Sequence, residues 1–207
     1  VTTSFSGGAV TGYTYQTTDS QGDRIYDVFN ASSVLTFSRV IRPDGSVAIA
    51  TYDDSGNLTG GGQAYVDASG TKVVRAYDAT GSLRVVAQQY TNGSIAVASF
   101  RNGVETGFSI TSFDDNGDAH TGFYDPSGNL QGYQLTRTDT LGSISITRYN
   151  AQGAQTSSVV YHPDGTTSGG TRTRAIHVAQ YGFLDSLLGP ELASVVGPMA
   201  FPLSYGI

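Results

Sequence analysis

The sequence predicts an all-β fold, an antiparallel meander of about a dozen hairpin-linked strands. Three observations carry that reading: turn-forming glycines at regular spacing, alternating apolar and polar residues between them, and a block that occurs twice. The glycines fall at Gly45, Gly56, Gly70, Gly81 and Gly93, then at Gly117, Gly128, Gly142, Gly153 and Gly165, with spacings of 11, 14, 11 and 12 in both series. Sliding Asp44–Gly93 onto Asn116–Gly165, an offset of 72, needs no gap and gives 14 identities in 50 positions. So long an ungapped match marks the duplication of a whole set of hairpins.

The first forty residues read as a weaker copy of the stretch that joins the two blocks, with turns near Gly22 and Asn30. Within the blocks the turns have a chemical logic. In Asp53-Asp54-Ser55-Gly56 the first carboxylate can cap the turn, and the glycine accepts the positive φ that ends it. Asp125-Pro126-Ser127-Gly128 repeats the pattern with proline where its fixed φ is favoured, and Asp67–Gly70, Asp78–Gly81 and Asn150–Gly153 follow the same rule. Between turns, Ser46–Tyr52 puts Val47 and Ile49 on one face, Ser94–Phe100 does so with Ile95 and Val97, and Ser143–Tyr149 with Ile144 and Ile146. Period two with Thr, Val, Ile and Tyr reads as strand. Such short connections permit only antiparallel returns. A meander of this width must curl, close into a barrel or split into two layers.

The end of the chain differs. Thr171–Gln180 reads as one more strand. Tyr181–Leu188 reads as a short helix ending at Gly189, and Glu191–Val196 as a second one after Pro190. Leu184, Leu187, Leu188, Leu192, Val195, Val196, Met199 and Phe201 make this the most apolar stretch. The expected organisation is therefore a hairpin repeat domain over 1–180 and an apolar helical segment over 181–207, packed on or in the curled sheet or against a partner protein or a second copy.

Composition narrows the function classes. Only 14% of residues are charged, the net charge is −6, and Lys72 is the one lysine, so a nucleic-acid partner is not expected. There are 13 Tyr and 9 Phe, which places the chain among folded rather than disordered sequences. Without cysteine there is no disulfide and no thiolate metal site. No apolar run is long enough for a spanning helix. A chain opening on Val1 is expected to be a processed form or a piece of a longer one.

No cofactor fingerprint occurs, and no nucleophile elbow or phosphate loop. Asp114-Asp115-Asn116-Gly117-Asp118 resembles a calcium loop in composition, but Ala119 stands where the loop glycine belongs and no Glu closes it, so turn capping is the expected role and no metal site is assigned. His120, His162 and His177 lack ligand spacing. The recurring feature is an aromatic–acid pair before the turns: Tyr52 and Asp53, Tyr77 and Asp78, Tyr124 and Asp125, and Tyr149 with Asn150. As scaffold, each Tyr packs across to the next strand and each Asp caps its turn. As a binding surface, the same rings and carboxylates would contact a sugar.

The phrases Tyr52-Asp53-Asp54-Ser55-Gly56-Asn57-Leu58, Tyr77-Asp78-Ala79-Thr80-Gly81-Ser82-Leu83 and Tyr124-Asp125-Pro126-Ser127-Gly128-Asn129-Leu130 resemble the YD repeat of RHS-type bacterial surface and toxin-shell proteins, over residues 44–165. That resemblance implies a curled β-repeat with a structural role and an extracellular or bacterial cell-surface setting. The chain is much shorter than such a shell and lacks the family's Asp-Pro-x-Gly core motif before a C-terminal toxin, Asp125–Gly128 lying inside the repeat. The leading expectation is a structural or interaction module without catalysis. A carbohydrate-binding module using the Tyr and Asp residues is second, and an Asp-based glycan-active enzyme third.

Overall fold

The computed structural model describes residues 1–169. The strand expected at Thr171–Gln180, His177 and the apolar helical segment over 181–207 lie outside the described residues. Among those described there are fifteen strands and no helix. In chain order they are β1 (Thr2–Ser6), β2 (Ala9–Thr18), β3 (Arg24–Asn30), β4 (Leu35–Ile41), β5 (Val47–Tyr52), β6 (Leu58–Val66), β7 (Lys72–Asp78) and β8 (Leu83–Gln89). Then come β9 (Ile95–Arg101), β10 (Val104–Phe113), β11 (Ala119–Tyr124), β12 (Leu130–Thr138), β13 (Ile144–Asn150), β14 (Gln155–Tyr161) and β15 (Thr167–Ser168).

The hydrogen-bonded order follows the chain from β1 to β15 without a crossover. Among the described residues that order is open, with β1 and β15 at its ends and no β1–β15 pairing to close it into a barrel. The strands exceed the expected dozen because the first forty residues hold four of them. Two of their turns carry no Asp-x-x-Gly signal: Gly7-Gly8 is a bare glycine pair, and Ser33 takes the glycine position at φ 62°. The described strands fall into two compact units, Val1–Val86 and Ala87 onward.

Turn chemistry sets the local geometry. At the Asp53 turn, Gly56 N donates to Asp53 O at 2.9 Å and Asp53 N to Asn57 O at 2.9 Å, with Gly56 at φ 83°. Gly128 repeats this at φ 83° in the second block. Gly7-Gly8 and Asn102-Gly103 are both two-residue turns with positive φ at both positions.

Several hairpins carry a register shift at the aromatic residue before the turn, at Phe29, Tyr52, Tyr124 and Tyr149. Each leaves one residue of the returning strand without a partner, as at Thr59 between Thr51↔Gly60 and Tyr52↔Leu58.

The first unit buries Val47, Ile49, Ala64, Val74 and Ala76. Register puts them on one face, since Val47 pairs with Ala64, Ile49 with Gly62, Ala64 with Val74 and Gly62 with Ala76. Each buried Val or Ile there stabilises by about 1.5–3 kcal/mol. The second unit buries Ile95 and Ile146 together with Ser109, Thr111, Thr121 and Gln134.

Candidate functional site

The aromatic–acid pairs sit where strand becomes turn, and turn geometry occupies their carboxylates. Asp53 Oδ1 accepts from Ser55 N and Asn57 N, both at 2.9 Å, and Asn57 Nδ2 donates to Asp53 Oδ2 at 2.9 Å. Asp125 has the same set, from Ser127 N at 3.0 Å, Asn129 N at 2.9 Å and Asn129 Nδ2 at 2.9 Å, and gains Gln131 Nε2 at 3.2 Å. Asp78 accepts from Thr80 Oγ1 at 2.6 Å, Thr80 N at 2.9 Å and Ser82 N at 3.0 Å, with Arg84 at 3.7 Å. Hydrogen bonds to the ionised form hold all three below the ordinary carboxyl value, led by the Asn57, Thr80 and Asn129 side chains respectively. They are low-pKa turn caps, not carboxyls poised to exchange protons near neutrality.

The tyrosines meet cross-strand neighbours. Tyr124 stacks on Phe108 with ring centroids 4.9 Å apart, and Tyr149 stacks on Tyr133 at 4.6 Å, both pairs inclined by 12°. Tyr124 also leans over Gly122, where an added Cβ would lie 2.7 Å from its hydroxyl. Register places Phe108, Tyr124, Tyr133 and Tyr149 on one face of four consecutive strands. In the first block Tyr77 stands opposite Gly61, the residue equivalent to Tyr133, and Tyr52 opposite Leu58. Tyr124 and Tyr149 share an aromatic row, whereas Tyr52 and Tyr77 belong to the other unit.

The calcium-like segment is a turn as well. Asp114 Oδ1 accepts from Asn116 N at 2.9 Å and Asp118 N at 3.0 Å, its Oδ2 meets His120 Nε2 at 3.3 Å, and Asp118 pairs with Arg137 at 2.7 Å. Among the described residues no group of three His, Cys, Asp or Glu is placed to hold a metal ion. His162 Nε2 lies 2.9 Å from Ser168 Oγ.

Reading the turns alone misses a polar set on the opposite face of the second block. Thr121 is 1% exposed and Gln134 2%. Gln134 Nε2 donates to Thr136 Oγ1 at 3.0 Å, and Arg148 Nε donates to Gln134 Oε1 at 3.2 Å. Thr121 shares a hydrogen bond with Thr111 at 2.9 Å. Burial lowers the pKa of Arg148. The signal was present in the ungapped alignment: Thr121, Gln134, Thr136 and Arg148 stand where the first block has Ile49, Gly62, Ala64 and Ala76. Phe108 and Tyr133 were missed for a related reason, since each is visible only as the cross-strand partner of a tyrosine already singled out.

Comparison of the chain with protein-family models and with curated proteins finds no match.

Proposed function

We propose that the chain is a structural or interaction β-repeat module of an extracellular or bacterial cell-surface protein, without catalysis of its own. One observation carries this reading: the repeated Tyr-Asp signature is consumed by the fold. Its carboxylates cap turns and two of its rings stack across strands. A feature repeated for scaffold reasons has no need of a ligand. The resemblance to YD repeats of RHS-type proteins agrees with it. Contact with a partner protein or a second copy is assigned to the apolar segment 181–202, whose eight large side chains favour association.

A carbohydrate-binding module is the second reading, favoured by the half-exposed aromatic row Phe108, Tyr124, Tyr133 and Tyr149. Against it, stacking occupies one face of each ring, and a flat sugar-binding platform needs faces free. A glycan array separates the two. The scaffold reading expects no retained glycan and no turnover of glycoside or ester substrates. Specific glycan retention lost in Tyr133→Ala would establish the second reading in its place. Truncation after Gln180 tests the association: the intact chain should self-associate or capture its partner, and the truncated one should not.

A further inference from the structure

We infer that the polar set of buried Thr121 and Gln134 with half-buried Thr136 and Arg148 is a pairing code that keeps strands of the second block from pairing with strands of the first. A duplicated hairpin array invites that error, because each strand has a near-equivalent competitor elsewhere in the chain or in another copy. Two of the three features that could prevent it do not. The turns have the same spacing in both blocks. The aromatic face offers the same kinds of pair either way: pairing β12 with β7 would put Tyr133 opposite Tyr77, an aromatic pair like native Tyr133–Tyr149, and pairing β6 with β13 would put Gly61 opposite Tyr149, a Gly–Tyr pair like native Gly61–Tyr77.

Only the other face discriminates. In the native pairing Gln134 stands opposite Arg148 and Thr121 opposite Gln134, while Gly62 stands opposite Ala76 and Ile49 opposite Gly62. Hybrid pairing of β6 with β13 sets Arg148 against Gly62. Pairing of β12 with β7 sets Gln134 against Ala76. Both break the Arg148–Gln134 bond of 3.2 Å and take that donor from the buried Gln134 oxygen. A buried amide oxygen left without its donor is costly, so the hybrid is penalised while each block with itself is satisfied.

The absence of cysteine makes a direct test simple. Gln63→Cys with Thr147→Cys reports pairing of β6 with β13, because residue 63 natively faces Arg75 and residue 147 faces Leu135. The chain is unfolded in urea, refolded under a mild oxidant, and the 63–147 disulfide is measured within one chain and between copies. With the polar set intact this cross-link should be rare. Replacing the set with its first-block counterparts (Thr121→Ile, Gln134→Gly, Thr136→Ala and Arg148→Ala) should raise it about tenfold or more, the ratio matching about 1.4 kcal/mol of pairing preference. The reverse graft (Ile49→Thr, Gly62→Gln, Ala64→Thr and Ala76→Arg) makes the blocks alike again and should raise it too. Arg148→Ala alone should raise it part way, which keeps the test readable if a graft does not refold. An unchanged 63–147 cross-link in these variants, even with a lower yield of folded protein, would overturn the pairing code and leave the set a local packing feature.

Discussion

The blocks at 44–93 and 116–165 share their turns and differ in what they bury. The first closes one face with Val47, Ile49, Ala64, Val74 and Ala76 around glycines. The second keeps the branched residue at one of these positions, Ile146 for Val74, and fills others with polar residues: Gln134 bonded to half-buried Thr136 and Arg148, and buried Thr121 bonded to Thr111. Strand paths nevertheless pair in the same registers, including the shift at Tyr52 and at Tyr124. Backbone geometry in this fold is thus dictated by the turns and their bulges, and the buried face is free to diverge provided every polar group it acquires finds a partner.

If turns dictate the fold, breaking one must cost more than editing a face. Valine at Gly56 or Gly128 forces a β-branched residue to φ 83°, a misfit of about 3 kcal/mol or more. The two copies should differ. An added Cβ at Gly56 lies 3.2 Å from Val34 Cγ1, whereas at Gly128 nothing lies within 4 Å. Urea midpoints should therefore fall further for Gly56→Val than for Gly128→Val. Equal losses would mean that backbone strain alone sets the cost.

The next effect addresses the faces. Arg148→Ala strands a buried Gln134 oxygen and should cost roughly 1–3 kcal/mol. Adding Gln134→Gly removes the stranded group and restores the first block's chemistry, so the double variant should be less destabilised than the sum of the singles. A double-mutant cycle from denaturant unfolding should yield a coupling of about 1 kcal/mol. Additive losses would show that the polar set is packing, not a hydrogen-bonded unit.

How much of this was legible in the sequence follows from the same division. The turns were legible because their chemistry is local: Asp at the start and Gly at the end of a four-residue turn, three positions apart. Ser33 shows the limit, since it takes a glycine position at φ 62° with no sequence signal. The bulges were not legible, because a skipped residue such as Thr59 or Gln131 is defined only against the opposite strand. The polar set was hidden for the opposite reason. Scoring the repeat by its identities draws attention to Tyr, Asp and Gly, and away from positions where Ile became Thr and Ala became Arg.

Ser33 supplies a smaller prediction in the other direction. Its turn bonds are already formed, with Ser33 N donating to Asn30 O at 2.9 Å. Ser33→Gly relieves the left-handed strain without losing them, and should stabilise by about 1 kcal/mol. The thermal midpoint should rise. A fall would mean that the serine side chain contributes something beyond the turn.

The smallest effect expected compares the two blocks through acid. Asp53 and Asp125 are both held below the ordinary carboxyl value of 3.8, first by an Asn side chain and then by backbone N–H groups. A group whose pKa is lower folded than unfolded binds protons more readily in the unfolded chain, so its stabilisation is present above the unfolded value. It is lost as pH falls through the folded one. Stability should therefore be flat at neutral pH and decline from about pH 4 downward. Asp125 has one donor more than Asp53, since Gln131 Nε2 reaches its Oδ2 at 3.2 Å, whereas Thr59 at the equivalent position bonds Thr51 instead. Both sites are solvent-exposed, so each contribution is small and screened. Replacing Asp125 by Asn should flatten the acid limb more than replacing Asp53 by Asn, and Gln131→Thr should bring the two sites level. Urea midpoints measured from neutral pH down through the acid limb decide it. Identical acid limbs for Asp53→Asn and Asp125→Asn would remove Gln131 from the account and leave the turn backbone alone as the source of the shift.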